Sequence, residues 1–430
     1  MKKVFLLFAV LLTLMISGCS GGGNSTQSDT APAINSADST TFTEGTTETF
    51  TVKATSTPTP SFVLTGTLPS GVTFDATTGV LSGTPAEGSS GTYPLIITAS
   101  NGVSSDATQS FALTVVIPPI TSLTEVAEFG TNDNGIVICR GNYVYTVGVE
   151  ATSNSFNIVD MSDPTTPVIK GSYNIGNGWG LALNGNYAYI QTDGNGTSTS
   201  IFASGTVGVM NITDPTTPVP VMQNPSGYSS ADQVYYHNGY VYSASQGIIG
   251  IYGVNDPATL VAVTNISTTN VEWLALSGNY MYGVDNGTLK IWDISNPAAP
   301  VQTGSISNAD LYYDGIAVNG NYVFAMGSTG SAGEILVYNV SDKTNPVLVT
   351  NLILKSGTST YLHESRILGN YLLISGDNDF YVVNIADPTM PVEITSIPTS
   401  TSEYAWGFDV LNDRYAIVAD DNSYHVIKLW

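Results

Sequence analysis

Several residue types are scarce in this chain, and each scarcity excludes a class of protein. Only 10% of its 430 residues are charged, and 11 Lys and Arg stand against 34 Asp and Glu, for a net charge of −23. Nucleic-acid binding needs clustered Lys and Arg, so this composition excludes a nucleic-acid partner. The 3 His are not spaced as a zinc site. The 2 Cys lack the CxxCH pattern, which excludes covalently attached haem.

Strand and turn residues are abundant instead. The chain has 43 Gly and 24 Tyr, and it is also rich in Ser, Thr and Asn. This mixture favours strands and tight turns over long helices. We therefore expect an all-β protein, with room for two or three domains in a chain of this length.

The N-terminal segment MKKVFLLFAVLLTLMISGC contains the longest apolar run. Lys2 and Lys3 precede an apolar stretch from Val4 to Ile16, the order of a secretory signal that is short for a membrane span. The end, Ile16-Ser17-Gly18-Cys19, resembles the lipobox of bacterial lipoproteins. In that family the signal, here residues 1–18, is removed and the Cys is acylated.

The lipobox resemblance implies a membrane as one partner of the chain, reached through a lipid on Cys19. Ser20, rather than Asp, follows the Cys, which in Gram-negative lipoproteins implies the outer membrane, in the periplasm or at the surface. An ordinary signal peptide with a Cys nearby is the alternative. With Cys19 acylated, Cys139 has no intramolecular disulfide partner.

Residues 19–30 have no apolar period and predict a flexible tether. From 31 to 116, short alternating runs separated by turn residues predict a β-sandwich. Its centre, LTGTLPSGVTFDATTGVLSGTPAEG, resembles the immunoglobulin-like, cadherin-like modules of bacterial surface proteins. Asp75 in this stretch is interpreted as a turn cap, because no second carboxylate accompanies it as a calcium ligand would require. We interpret the module as a spacer.

A repeat occupies the remainder of the chain. Seven segments of the GNYVY type recur on average about 45 residues apart, the spacing of propeller blades. The marker tyrosines are Tyr143, Tyr187, Tyr240, Tyr280, Tyr322, Tyr371 and Tyr415. A second apolar run and a turn such as SDPTTPV follow in the first six segments, and the pattern resembles the LVIVD repeat of bacterial surface proteins over Leu123–Trp430.

The resemblance implies a seven-bladed β-propeller over residues 120–430, with four antiparallel strands in each blade. In the recurring turn, the Asp or Asn is expected to accept hydrogen bonds from backbone amides that follow it. The seventh segment ends at Trp430 after only three strands. We predict that Leu123–Phe129 supplies the missing strand and closes the ring, which removes an exposed sheet edge.

One face of such a ring carries the divergent loops, and we expect it to bind ligand. The position eight residues before each marker Tyr lies at this face, just before the innermost strand. Blade 6 would place Glu364 there if its turn were one residue shorter, and His363 otherwise. The predicted mouth comprises Trp179, Asp232, Glu272, Trp273, Asp314, His363, Glu364 and Trp406.

Carboxylates beside aromatic rings suit sugars, cations or basic peptides. No cofactor is required, and Ca²⁺ is the metal that such oxygen ligands would favour. The alternative interpretation is that these carboxylates accept backbone amides and hold neighbouring blades together. Cys139 aligns with apolar inner-strand positions and is predicted to be an inert core thiol.

Three functions remain open. The first is a non-enzymatic, membrane-tethered binding or adhesion module for an envelope protein or glycan. The second is an envelope lyase or hydrolase acting on polysaccharide at the mouth, although the shortage of His and Arg there weighs against it. The third is an assembly scaffold that binds another envelope protein through the propeller edge.

Overall fold

The computed structural model describes residues 28–103, 105–130, 135–148, 156–176, 178–192, 206–223, 231–245, 247–308, 311–328, 330–354, 359–399, 404–420 and 422–430. The predicted signal, Cys19 and most of the predicted tether lie outside these residues. The chain divides into two units, Met1–Pro118 and Pro119–Trp430. Within the described ranges, no helix has the length and apolarity of a membrane span.

The first unit is a small sandwich of nine strands. They are β1 (Thr30–Ile34), β2 (Ser39–Thr43), β3 (Glu48–Thr51), β4 (Ala54–Thr57), β5 (Ser61–Thr65), β6 (Val72–Asp75), β7 (Val80–Gly83), β8 (Gly91–Ser100) and β9 (Ala107–Val116). A four-stranded sheet, β2-β9-β8-β5, and a three-stranded sheet, β3-β7-β6, enclose a core that includes Phe42, Leu81 and Phe111. Strands β1 and β4 form a separate pair.

Carboxylates in this unit hold turns. Asp75 accepts the backbone N–H of Thr77 at 2.8 Å, which confirms the predicted turn cap. The buried Glu44 accepts N–H groups of Gly88 and Ser90, at 3.2 and 2.6 Å. Both side chains therefore satisfy backbone donors within the domain.

The second unit consists of seven four-stranded antiparallel sheets, which confirms the predicted propeller architecture. Blades 1 to 3 are β11 (Gly135–Arg140), β12 (Tyr143–Gly148), β13 (Phe156–Asp160), β14 (Val168–Tyr173); β15 (Gly178–Asn184), β16 (Tyr187–Thr192), β17 (Thr206–Asn211), β18 (Val219–Gln223); and β19 (Ala231–His237), β20 (Tyr240–Ser245), β21 (Ile248–Asp256), β22 (Thr259–Ser267). Blades 4 to 6 are β23 (Leu274–Ser277), β24 (Tyr280–Val284), β25 (Thr288–Asp293), β26 (Val301–Ser307); β27 (Leu311–Asn319), β28 (Tyr322–Ser328), β29 (Gly333–Asn339), β30 (Val347–Ile353); and β31 (Leu362–Leu368), β32 (Tyr371–Gly376), β33 (Asp379–Asn384), β34 (Val392–Pro398).

The seventh blade joins the two ends of the unit. Its strands are β35 (Gly407–Leu411), β36 (Tyr415–Ala419), β37 (Tyr424–Lys428) and, from the start of the unit, β10 (Thr124–Phe129), in the order β10-β37-β36-β35. Thr124 pairs with Lys428 and Phe129 with Tyr424. The predicted closing strand is therefore confirmed.

The first strands of neighbouring blades contact one another around the centre, and the fourth strands lie outermost. The second and third strands are buried on both faces and are predominantly apolar, as in VYTV and NIV of blade 1. The fourth strands are largely exposed. In blades 1 to 6 a bulge interrupts the pairing of the third and fourth strands, for example between Ile158 and Val159. Such bulges twist an outer edge away from pairing with other chains.

The recurring turns follow the predicted chemistry. In blade 2, Asp214 Oδ1 accepts the N–H of Thr216 at 2.9 Å and its hydroxyl at 2.7 Å. Equivalent bonds to the residue two positions on are made by Asp163, Asp256, Asn296, Asp342 and Asp387. The turn sequence therefore recurs in the repeats because one short side chain accepts hydrogen bonds from backbone N–H groups where strand pairing stops.

The turns of blades 6 and 7 decide the alignment of their first strands. The blade 6 turn is not shorter, because Leu368 pairs with Tyr371 across Gly369 and Asn370 as in the other blades, so His363 is the residue at the predicted position. The blade 7 turn is longer by one residue, because Leu411 pairs with Tyr415 across three residues, so Val410 is equivalent to Cys139.

Candidate functional site at the centre of the propeller

The position eight residues before the marker Tyr coincides with a β-bulge in four blades. The pairing of the first two strands shifts between Gly178 and Gly180, between Ala231 and Gln233, within Leu311–Ile316, and within Leu362–Ser365. Blade 6 therefore keeps the common turn length and has the same kind of bulge as blades 2, 3 and 5, at His363 and Glu364. Bulges of this kind redirect side chains and are common beside functional sites.

The predicted mouth residues differ in burial and in the partners that they contact. The side chains of Asp232 and Asp314 lie outside the described residues. Trp273 is 8% exposed and belongs to the hydrophobic core, so it is not an open aromatic platform. Trp179 and Glu272 are half-buried. The remaining three, His363, Glu364 and Trp406, lie at the junction of blades 6 and 7.

Glu364 is part of a charged group, which we call the inter-blade triad, formed with Arg366 and Asp409. The carboxylate of Glu364 pairs with Nη2 of Arg366, and Nε of Arg366 lies 3.7 Å from Oδ1 of Asp409. Glu364 Oε2 also accepts the N–H of Phe408 in blade 7 at 2.9 Å. Asp409 Oδ2 accepts the N–H of Cys139 in blade 1 at 2.8 Å. The triad thus links blades 6, 7 and 1.

Burial governs the electrostatics of the triad. It raises the pKa of Glu364 to about 7, although Arg366 and the Phe408 amide favour the ionised form. Burial likewise raises the pKa of Asp409. Burial raises the pKa of the Cys139 thiol well above its usual range, so the thiol is protonated and inert. Glu364 therefore behaves as the alternative interpretation describes, since it accepts an amide from the next blade.

A second group at the same junction is aromatic, and we call it the aromatic platform: His363, Tyr404 and Trp406. The ring centroids of His363 and Trp406 are 5.0 Å apart, and those of Tyr404 and Trp406 are 5.2 Å apart. His363 Nε2 lies 3.0 Å from Asp377 Oδ1. Tyr404 is 47% exposed, so the platform has an accessible ring above a buried one.

Asp377 fixes the base of the platform. Besides His363, it accepts the Thr360 hydroxyl at 3.1 Å and the Tyr361 N–H at 3.2 Å. Burial would raise its pKa, but the bond with His363 and the charge of that ring outweigh burial, and the pKa is lowered. An ionised Asp377 therefore holds the imidazole in one orientation.

Sequence reasoning missed the partners that give these residues their roles. Arg366 lies two residues after Glu364, and Asp409 lies two residues after Gly407. At the equivalent strand position, other blades have the apolar residues Ile138, Ala182, Ala275 and Ala317. The sequence signal that could have identified Arg366 and Asp409 is a charged residue at a position that is apolar in most repeats. Within the described ranges, no group of three or more His, Cys, Asp or Glu is placed to hold a metal ion.

Two family models match the chain. The model described as "Putative Ig domain" matches residues 31–116. The LVIVD repeat matches residues 133–175, 175–197, 270–307 and 366–399, which fall in blades 1, 2, 4 and 6. The chain therefore contains an Ig-type domain followed by LVIVD repeats, as the sequence resemblance predicted.

Solved propellers share the fold at low sequence identity. The WD40 propeller domain of Doa1 is 11% identical, with 72% of this chain and 98% of that chain covered and a TM-score of 0.55. The WD40 domain of Toxoplasma gondii coronin is 12% identical, with 72% and 87% covered and a TM-score of 0.52. No curated protein matches the chain significantly. The LVIVD propeller indicates a binding or scaffold module, and such propeller and repeat families are usually non-catalytic.

Proposed function

We propose that this chain, which joins an Ig-type domain to a propeller of LVIVD repeats, is a lipid-anchored binding protein of the bacterial cell envelope. Its ligand is an envelope glycan bound at the aromatic platform of blades 6 and 7, and it performs no catalysis. The Ig-type domain serves as a spacer between the membrane anchor on Cys19 and the propeller. The accessible ring of Tyr404, which packs edge-on against His363 and at a tilt against Trp406, is the observation that carries the proposal.

Sugar rings suit this platform for two reasons. Their C–H faces pack against aromatic rings, while their hydroxyls need hydrogen-bond partners at the ring edges. Tyr404 and Tyr361, which are 47% and 39% exposed, supply hydroxyls on this face. Asp377 and the bulge at His363 and Glu364 hold the platform rigid, which lowers the entropy cost of binding.

The histidines do not favour a hydrolase. Both ring nitrogens of His425 face carboxylates, Glu125 at 2.8 Å and Asp420 at 3.1 Å, so the ring has no free nitrogen to activate a nucleophile. His363 is committed to Asp377 through Nε2 and packs against two aromatic rings. These contacts support binding over catalysis.

A scaffold function is the second candidate, and one observation favours it. A valine at least half exposed is the first residue of the fourth strand in five blades (Val168, Val219, Val301, Val347 and Val392) and the third residue in blade 3 (Val261). These apolar residues line the outer strands, where another envelope protein could pack. Cross-linking in intact envelope, with V301S and V347S as variants, tests this candidate through loss of a co-purifying protein.

The glycan proposal is tested with the full chain on an array of bacterial envelope polysaccharides. Trp406→Ala and Tyr404→Ala should each abolish binding of the glycan that the parent captures. Met390→Ala is the matched control, because Met390 is 68% exposed on a turn at the opposite face. If the two aromatic variants bind as the parent does, the platform is not the site.

The membrane anchor needs its own experiment. Cys19→Ser should prevent acylation and move the protein from the membrane fraction to the soluble fraction of the envelope. A variant that stays with the membrane after high-salt washing would contradict the anchor. Ser20→Ala, beside the acylated position, is the control that should remain on the membrane.

A further inference from the structure

A cavity of about 530 Å³ lies at the centre of the ring. Its wall is formed by the first strands of blades 1 to 6, from Ile136 at one end to Arg140 and His237 at the other. Arg140 and His237 are the last residues of β11 and β19, beside the short turns. The cavity therefore extends toward the face opposite the aromatic platform. Within the described residues, none of the predicted mouth residues lines it.

The charge of this wall differs from that of the whole chain. The chain carries 34 Asp and Glu, yet the described wall has neither residue type. Two of the three arginines in the sequence, Arg140 and Arg366, line it, together with His237. A cavity wall that contains two arginines and no carboxylate favours the binding of an anion.

Arg366 is placed to receive such an anion. Its side chain is 34% exposed, and the cavity provides that exposure. Glu364 and Asp409 are not among the residues that line the cavity. Glu364 is 1% exposed, and the side chain of Asp409 is 22% exposed. Part of the guanidinium surface is therefore open to a ligand while its structural contacts stay in place.

Ser365 gives a second, independent indication. Its side chain is 3% exposed and lines the same cavity, and its hydroxyl has no hydrogen-bond partner within the described residues. A buried hydroxyl without a hydrogen-bond partner destabilises the fold. A ligand oxygen accepting from Ser365 would remove that cost.

We propose that the central cavity binds a small organic carboxylate. The carboxylate meets Arg366 and Ser365, and the body of the ligand packs against Leu181, Leu274 and Ile316 on the wall. The volume lies within the range of about 300–1,000 Å³ typical of small-molecule sites. Arg140 stands at the entrance beside His237, and its positive charge attracts the anion. The site is separate from the glycan platform and does not depend on it.

Calorimetric titration of the full chain tests this site, with pyruvate, succinate, benzoate and D-galacturonate as probes and D-galactose as the uncharged comparison. At least one carboxylate should bind, and D-galactose should not. Ser365→Ala should weaken that binding about tenfold or more, because a hydroxyl that donates to a carboxylate makes a charge-assisted hydrogen bond. Its thermal stability should not fall, because the hydroxyl it removes has no partner.

Further variants separate the charge and the volume of the site. Arg140→Gln at the entrance should weaken binding, while Arg414→Gln removes the same charge from a turn outside the cavity wall and should not. Leu183→Trp, which fills the cavity near its entrance, should abolish binding. Trp406→Ala should leave carboxylate binding unchanged, so this test and the glycan test can fail separately. The proposal is overturned if no probe binds, if D-galactose binds equally, or if Arg414→Gln weakens binding as much as Ser365→Ala.

Discussion

Glu125 and His425 are 300 positions apart in the chain, yet Oε1 of Glu125 lies 2.8 Å from Nδ1 of His425. Nε2 of the same ring lies 3.1 Å from Asp420 Oδ2. Strand β10 carries Glu125 and β37 carries His425, so this ion pair spans the junction that closes the propeller. The closure combines main-chain pairing with a nearly buried charge interaction.

The stability of the closure should depend on pH. Burial would lower the pKa of His425, but the bonds to Asp420 and Glu125 outweigh burial and raise the pKa to about 9, from a usual value of 6.5. Because the pKa of His425 is raised in the folded protein, the ring stabilises the fold fully below about pH 6.5. This stabilisation is lost as the pH rises through about 9. The contribution is at most about 3 kcal/mol, at 1.36 kcal/mol for each pKa unit.

Urea unfolding of the parent at pH 6 and pH 9.5 measures this loss. All 5 Trp belong to the second unit, so tryptophan fluorescence reports propeller unfolding alone. His425→Gln should be less stable at pH 6 and should show a flatter pH dependence. His237→Gln, at the end of β19 and outside the closing blade, is the control that keeps the parent dependence. An H425Q variant with the full dependence would assign it to other groups.

Replacing Leu123–Phe129 by Gly and Ser residues of equal number tests the closing strand itself. The variant loses the pairing of β10 with β37 and exposes an edge of the seventh blade. We expect a large fall in Tm and aggregation, seen by differential scanning fluorimetry and light scattering. Glu125→Ala keeps the strand and should cause only a small fall. A Gly-Ser variant that melts like the parent would contradict closure as a source of stability.

Much of the fold could be predicted because its signals are local and repeated. The marker Tyr, the turn Asp or Asn and the apolar runs recur in blade after blade, so an error in one blade is corrected by the others. The closing strand followed from counting, since Trp430 comes after three strands. The blade 7 alignment was wrong by one residue because an extra turn residue changes the register without changing the repeat pattern.

The candidate site was less predictable because its residues depart from the repeat. Glu364 was identified by position, but its partners Arg366 and Asp409 occupy positions that are apolar in most blades. The periodicity of the repeat does not indicate which charged residues of neighbouring blades come into contact at this position. The aromatic platform was found in part, through His363 and Trp406. Tyr404 precedes the predicted position and has no counterpart in the repeat, so only the structure brings it into contact.

Gly315 makes a close approach between blades 5 and 6 possible. Its φ is +33°, and a Cβ there would lie 2.3 Å from the carbonyl oxygen of His363 and 2.5 Å from Cγ of Met326. Gly315→Ala should therefore destabilise the propeller by about 2–4 kcal/mol, through backbone strain and overpacking. Gly320→Ala is the matched control, with φ +57° and no atom near the new Cβ, and should cost about 1 kcal/mol. Equal losses in urea unfolding would show that the inter-blade contact contributes nothing.

Arg366 offsets the repulsion between the two carboxylates of the inter-blade triad. Glu364 is 1% exposed and Asp409 is half-buried, so neither charge is fully screened by water. Arg366→Met removes it and leaves two carboxylates without their charge partner, which should cost about 3–5 kcal/mol at pH 8. The pKa of Glu364 is already about 7 in the parent, and losing Arg366 raises it further. The variant should therefore recover stability as the pH falls toward 5, where Glu364 becomes neutral.

The double variant Glu364→Gln with Arg366→Met should be more stable at pH 8 than Arg366→Met alone, since Gln can accept the Phe408 amide without a charge. If Arg366→Met unfolds at the parent urea concentration at pH 8, or if Glu364→Gln rescues nothing, the triad does not hold the blades together.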